Sequence, residues 1–144
     1  SAHAGAWSLT ALGAGVNTER ALGGLSAAGV RTMVLPWNAS NQTQAFINSG
    51  TVITIAGAST ALGHYMVNRS GASASQIYKN GASIGTGAEA SSGLLNQNIR
   101  FGQDSTNFAT LQIAAGHAGS SLGASETLAL YRLLLAYMQA VGAV

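Results

Sequence analysis

The sequence predicts an all-β domain, a two-sheet antiparallel β-sandwich with one C-terminal α-helix. Three observations predict it. Short alternating or β-branched runs recur about every ten positions, turn residues separate these runs, and only the last segment follows a helical period. The chain has 144 residues, which is enough for one domain with a core. It is 47% hydrophobic and only 7% charged, so small residues must fill its turns and surface.

The predicted strands follow one another along the whole chain. They span Gly5 to Leu12, Val30 to Trp37, Gln44 to Ile47, Thr51 to Ile55, Leu62 to Arg69, Ser75 to Lys79, Ala82 to Thr86, Asn98 to Gly102 and Thr110 to Gly116. In the first, Trp7, Leu9 and Ala11 alternate with hydroxyl residues, a pattern typical of a half-buried strand. Gly13 to Gly24 is rich in glycine and too weakly patterned to predict an element.

Two turns join neighbouring strands as hairpins. Asn80-Gly81 is the strongest two-residue hairpin signal, because a type I′ turn needs positive φ at both central residues. A two-residue loop also sets the register, so Lys79 is expected to pair with Ala82. Asn48-Ser49-Gly50 predicts a second hairpin.

The last segment has the period of a helix. Ser125 is the expected N-cap, and Glu126 in the first turn complements the helix dipole. The apolar positions predict one buried stripe, formed by Leu128, Tyr131, Leu135 and Met138 with Leu134 and Val141 alongside. Gly142 stands where a helix-terminating glycine is expected.

Charge and cysteine content exclude several classes of function. The six basic residues are scattered singly, as solvated charges would be, whereas a nucleic-acid surface needs a basic cluster with interleaved aromatics. The absence of cysteine excludes disulfides and thiolate metal sites. The C-terminal apolar run contains Arg132 and is too short to span a bilayer, so neither nucleic acid nor membrane insertion is expected.

An ordered series of motifs resembles a known family. The series consists of Arg69-Ser70, Tyr78-Lys79-Asn80-Gly81, the strand Asn98 to Gly102, Gly119-Ser120-Ser121-Leu122 and the helix from Ser125. It resembles the concanavalin A-like (laminin-G-like) jelly-roll domains of bacteriophage and prophage virion proteins and of bacterial surface proteins. The resemblance covers about Ala2 to Val144 and is strongest from Leu62 onward.

The resemblance implies a single jelly-roll domain over residues 1–144 that lacks its first strand or strands. An upstream segment or another polypeptide would supply them, and Gly5 to Leu12 would otherwise be an open sheet edge. It also implies a location in a virion, outside the cell or on its surface. The expected function is a non-enzymatic structural module, such as part of a tail fibre, spike or capsid-associated protein, held in a homo-oligomer or with other virion or surface subunits. The alternative is a lectin-like module that binds host glycans.

No catalytic constellation is evident among the acidic residues and histidines. Glycosidases need two carboxylates at a fixed separation, and the four acidic residues of this chain are isolated from one another. His3, His64, His117 and Asp104 formally allow a Ser-His-Asp site, yet no nucleophile elbow accompanies them. We therefore expect no enzyme activity, and we expect His64 to be a structural or surface histidine.

The remaining candidate sites are for a sugar or a calcium ion. Trp37, Asn38, Asn41 and Gln42 lie in a polar loop, where Trp37 could be exposed and stack on a sugar. His117, in a loop from Gly116 to Gly119, could line a binding groove, although a solvated histidine is the simpler interpretation. No metal site or cofactor is expected; the alternative is Ca²⁺ held by Asp104 and Asn107.

Overall fold

The computed structural model describes residues 1–10, 20–104 and 107–144. Within these ranges the chain forms ten strands and one helix. They are β1 (Ala2–Ser8), β2 (Leu22–Leu25), β3 (Arg31–Leu35), β4 (Gln42–Ser49), β5 (Ile53–Ala56), β6 (Gly63–Gly71), β7 (Ala74–Lys79), β8 (Ala82–Gly87), β9 (Arg100–Phe101), β10 (Ile113–Gly119) and α1 (Ala124–Ala140).

The strands form two antiparallel sheets that pack face to face as a β-sandwich, as the sequence predicted. The first sheet has the strand order β10-β1-β6-β7-β8, and the second has the order β5-β4-β3-β2-β9. Alternate residues of each strand point inward, so Ala4 and Ala6 of β1 enter a shared core with Val34, Ile47 and Tyr65. Each of these five side chains is almost completely buried.

Both predicted hairpins are confirmed. Asn80 and Gly81 have φ values of 51° and 78°, the positive values that a type I′ turn requires, and Lys79 pairs with Ala82. The second hairpin joins β4 to β5, but Asn48 and Ser49 of its predicted turn belong to β4, and the ladder between the two strands closes at Ala45 and Ile53, so the connection is longer than predicted. Asn48 also has a positive φ.

Several strand bounds differ from the predicted ones. The predicted strand Thr110 to Gly116 begins and ends three residues later, as Ile113–Gly119. The first strand spans Ala2–Ser8, and the Ala11 and Leu12 of its prediction lie outside the described residues. The sequence also missed β2 inside Gly13 to Gly24, because Gly23 and Gly24 there carry no side chains to show a period. Their bare backbone packs against the segment that holds Gln103 and Asn98.

The expected open edge at Gly5 to Leu12 is wrong where the structure describes it. Strand β1 pairs with β6 on one side and with β10 on the other, so it lies inside its sheet. Strands β10 and β8 stand at the ends of the first sheet's order, and β5 and β9 at those of the second.

The C-terminal helix begins two residues earlier than predicted. Its N-cap is Gly123 rather than Ser125, because the carboxylate of Glu126 accepts a hydrogen bond from the Gly123 backbone N–H at 2.7 Å. The C-terminal end is as predicted. Gly142 has φ 69°, and the N–H groups of Gly142 and Ala143 bond back to Gln139 and Met138, as in a Schellman motif. Of the helices in the described ranges, none has the length and apolar character that crossing a bilayer requires.

Two arginines depart from the expectation of solvated single charges, Arg20, which pairs with Asp104, and above all Arg69. Arg69 is 2% exposed and forms a 2.9 Å ion pair with Glu89, whose side chain is also buried. Its guanidinium further donates to the backbone carbonyls of Ile47, Ala72 and Glu89. Arg69 therefore ties the segment after β8 to both sheets, which is a structural role.

Candidate functional site

Three histidines lie side by side on the outer face of the first sheet. His3, Gly5 and Trp7 alternate along β1 and share that face, since Ala4 and Ala6 between them point into the core. The sheet register places His117 opposite Gly5 and His64 opposite Trp7. We name His3, His117 and His64 the histidine row; neighbouring ring centroids along it are 5.1 Å apart.

The central contact of the row joins two ring nitrogens. The Nε2 atoms of His64 and His117 are 2.8 Å apart, and the Nδ1 atom of each ring is buried without a hydrogen-bond partner. Burial, assisted by the charge of His117, lowers the pKa of His64 to about 3. Burial and the charge of His3 lower the pKa of His117 to about 4. Both rings are therefore neutral at pH 7.

The helix covers this part of the sheet. The Tyr131 ring stacks on Trp7 with centroids 5.7 Å apart and lies 6.1 Å from the ring of His64. Thr127 and Met138 are fully buried on the same side of α1. Before the helix, the side-chain amide of Asn68 bonds to both backbone groups of Leu122 and fixes where the chain enters α1.

A second apolar side of α1 faces solvent. Leu133, Tyr137 and Val141 are 71%, 60% and 56% exposed. They follow one another at intervals of four residues and therefore lie on one side of the helix, beside the buried side. We name these three residues the exposed stripe. The predicted burial of Val141 is wrong, because the buried side is centred on Thr127, Tyr131 and Met138 instead.

The polar loop predicted to bind sugar holds itself together. Trp37 Nε1–H donates to Asn41 Oδ1 at 3.0 Å, and Asn38 Nδ2 donates to Gln42 Oε1 at 3.0 Å. Asn38 Oδ1 also accepts from the backbone N–H groups of Ser40 and Gln42. The expected exposure of Trp37 is wrong, since its indole is 9% exposed and belongs to the core.

His117 does not join that loop. It lies on β10 rather than in a solvated loop, and its ring is on the helix-covered face of the first sheet. Trp37 packs on the other face of that sheet, in the core between the two sheets. The five residues proposed for sugar binding are thus divided between two places.

Asp104 and Asn107 do come together, as the calcium hypothesis required. The backbone N–H and the side-chain amide of Asn107 both donate to Asp104 Oδ1. Arg20 pairs with Asp104 Oδ2 at 3.1 Å, so a guanidinium cation already neutralises this carboxylate. In the described ranges, no group of three or more histidine or carboxylate side chains is placed to hold a metal ion.

A separate cleft lies beside the polar loop. Its volume is about 250 Å³, and Ile55, Ala58, Tyr65 and Lys79 are among its lining residues. The backbone N–H of Ala58 bonds to the carbonyl of Asn41, which connects the cleft wall to the loop. The Lys79 ammonium lies 5.1 Å from the centre of the Tyr65 ring. Burial lowers the pKa of Lys79.

Comparisons with known proteins returned no match among family models, curated proteins or solved structures. The resemblance to concanavalin A-like domains therefore stays a hypothesis that rests on the sequence motifs. The fold itself rests on the two sheets and the helix described above.

Proposed function

We propose that the chain is a non-enzymatic structural module of a virion or a cell surface, and that it works as an assembly of identical copies. The exposed stripe of α1 is the observation that supports this proposal. A helix on the surface of a single domain normally has one apolar side, which faces the core. Helix α1 has a second apolar side next to the buried one, and three large side chains there remain largely in water.

A second copy of the chain suits the exposed stripe better than an unrelated partner. The stripe contains no charged residue, so the same side chains from two copies meet without like-charge repulsion about a two-fold axis. The small exposed residues Ala129, Ala136 and Ala140 border it and allow two helices to approach closely. The 7% charge content of the whole chain also leaves little electrostatic repulsion between copies.

Sedimentation equilibrium at tens of micromolar tests the assembly. We expect the wild-type chain to form a dimer or larger oligomer, and Leu133→Glu to be a monomer, because a carboxylate placed in an apolar contact must be desolvated. Gln139→Glu adds the same charge to an exposed position of α1 away from the stripe and should leave the oligomer intact. A wild-type monomer, or equal association of both variants, would contradict the proposal.

The placement of the three acidic side chains in the described ranges supports a role without catalysis. Glu89 and Asp104 are each held by an arginine, and Glu126 caps the helix, so each has a structural partner. We expect no turnover of polysaccharides by the purified chain. Activity that a Glu89→Gln or Asp104→Asn substitution abolishes, in a variant that still folds, would overturn this part of the proposal.

The second candidate function is lectin-like binding of a host glycan, and the Lys79 cleft favours it. The described carboxylates are engaged elsewhere, so the ammonium of Lys79 faces the cleft without an acidic partner. A sugar that carries a carboxylate would supply that partner. In the neighbouring loop the side-chain oxygens of Asn41 and Gln42 are used within the loop, so only their amide N–H groups would serve sugar hydroxyls.

A glycan array that contains acidic and neutral sugars tests this candidate. We expect acidic glycans to bind the wild-type chain and the Gln139→Glu control, and Lys79→Gln to lose that binding. Binding of neutral sugars alone, or no binding at all, would contradict the lectin-like function. The array measures sugar binding and sedimentation measures association, so the two candidate functions are tested by separate measurements.

A further inference from the structure

The contact between His64 and His117 bridges two strands that are not neighbours. Strand β1 runs between β6 and β10 in the first sheet, yet the two Nε2 atoms are 2.8 Å apart. The rings meet above Gly5, where a Cβ atom would stand 2.7 Å from the His117 ring. Any other residue at position 5 would separate the rings, so the absence of a side chain there allows the contact.

The shared contact limits how many protons the pair can hold. Two ring nitrogens at this distance form a hydrogen bond when one carries a proton and the other has a lone pair. Two neutral rings meet this condition if one is protonated on Nε2 and the other on Nδ1. A first added proton that leaves this hydrogen bond intact must go to a buried Nδ1 that has no acceptor, and it creates a charge beneath the helix. A second added proton occupies the remaining Nε2 lone pair, so two donors then face each other and the hydrogen bond is lost.

No negative group compensates the added charge in the part of the chain that the structure describes. The titratable or charged groups of the strands around the pair and of α1 are His3 on β1, Tyr65 and Arg69 on β6, Tyr78 and Lys79 on β7, and Glu126, Tyr131, Arg132 and Tyr137 on α1. His3 is a histidine and adds repulsion, while Glu126 is committed to the Gly123 N–H. Lys79 lies over the Tyr65 ring on the other face of the sheet.

The helix rests directly on this pair. Tyr131 of α1 lies against His64 and Trp7, so a charged and separated pair would have to hydrate at the place where the helix is docked. The core between the two sheets lies on the opposite face of the first sheet and does not contact the pair. Protonation therefore weakens the docking of α1 before it weakens the sandwich.

We propose that His64 and His117 form an acid-sensitive latch, which holds α1 on the first sheet while the rings share one hydrogen and releases it when both rings are charged. This device is independent of the proposed assembly, although release of α1 would also displace the exposed stripe. Both histidines have lowered pKa values in the folded state, so the latch is closed near pH 7 and opens as the pH falls from about 6 towards about 3.

Amide hydrogen exchange followed by NMR from pH 7 to pH 4 tests the latch. With rates corrected for the intrinsic effect of pH, protection in α1 should fall by about tenfold or more at a pH where β3 and β4 keep theirs. His117→Gln keeps a group that donates to or accepts from His64 and cannot be charged, so α1 should stay protected to lower pH. His3→Gln, outside the pair, should not abolish the acid release.

Two results would overturn the latch. One is wild-type α1 that stays protected at pH 4 or loses protection together with β3 and β4. The other is a His117→Gln variant with the same acid response as wild type. If that variant does not fold, the ring nitrogens of the wild-type chain decide the question. The latch predicts that His64 and His117 titrate together well below pH 6.5, and independent titration near 6.5 would contradict it.

Discussion

At the scale of single residues, the sandwich depends on one buried ion pair. Arg69 and Glu89 have side chains that are 3% and 4% exposed, and the guanidinium also serves backbone carbonyls from different parts of the fold. Removal of one partner leaves the other charge buried without compensation, which costs far more than the intact pair contributes.

Glu89→Gln is therefore expected to lower the free energy of unfolding by about 3 kcal/mol. Urea denaturation at pH 7 measures it. The comparison variant Glu126→Gln alters an exposed carboxylate that serves one backbone N–H, and it should cost about 1 kcal/mol or less. Equal losses in the two variants would show that burial of the Arg69 pair does not determine the cost.

Gly81 is the second single residue on which stability is expected to depend. It has φ 78°, and a Cβ atom there would stand 3.0 Å from the side chains of Leu128 and Tyr131. Gly81→Val should cost roughly 1 kcal/mol or more, because a β-branched residue resists positive φ and would also press on the docked helix. Thermal unfolding measures the loss, and an unchanged midpoint would mean that the turn is assigned wrongly.

At the scale of elements, α1 is docked through one side and exposes another. Met138 is 1% exposed, whereas Leu133 on the same helix is 71% exposed. The two residues are similar in size and helix propensity but differ in burial. Alanine substitutions at the two positions therefore separate the contribution of helix docking to stability from that of helix propensity.

Met138→Ala should lower the free energy of unfolding by about 2–5 kcal/mol, through lost burial and a residual cavity. Leu133→Ala should change it by less than about 0.5 kcal/mol at concentrations too low for association. Urea denaturation at submicromolar protein, followed by tryptophan fluorescence, compares the two. A larger loss for Leu133→Ala would mean that α1 docks through its other side.

At the scale of the whole molecule, stability should depend on the histidine row. His64 and His117 have folded pKa values of about 3 and about 4, below the ordinary value of 6.5. Between those values and 6.5 the unfolded chain binds more protons than the folded one, so stability is complete above pH 6.5 and decreases as the pH falls.

The expected decrease is about 1 kcal/mol per pH unit for each histidine in the steepest part. Urea denaturation at pH 7, 6, 5 and 4 measures it. The double variant His64→Gln/His117→Gln should show a much flatter dependence over the same range. A wild-type stability that is constant from pH 7 to pH 5 would contradict the burial of these two rings.

Local patterns predicted much of the fold, and long-range pairing explains what they missed. The Asn80-Gly81 turn and the helix end at Gly142 depend on backbone preferences of single residues, which a sequence displays directly. Strand β2 was missed because Gly23 and Gly24 have no side chains to form a pattern. Its position depends on pairing with β9, which lies far along the chain, as well as with the adjacent strand β3.

The candidate sites were harder to predict for the same reason. His3, His64 and His117 are far apart in sequence, and only the register of β6, β1 and β10 brings them into a row. In the sequence, only the alternation of His3, Gly5 and Trp7 along one strand indicated that these residues share the outer face of the first sheet. The burial of Trp37 could not be read from its loop, because the core that covers it comes from both sheets.

A single-cysteine cross-link tests the proposed assembly most directly. The chain has no cysteine, so Tyr137→Cys places one thiol in the middle of the exposed stripe, where a residue meets its own copy about a two-fold axis, and Gln139→Cys places one elsewhere on the same helix. If two copies meet through this stripe, mild oxidation should convert Tyr137→Cys largely into a disulfide-linked dimer and leave Gln139→Cys mostly monomeric, since a disulfide requires Cα atoms within about 7 Å. Equal cross-linking of the two variants, or none in Tyr137→Cys, would contradict an assembly through α1.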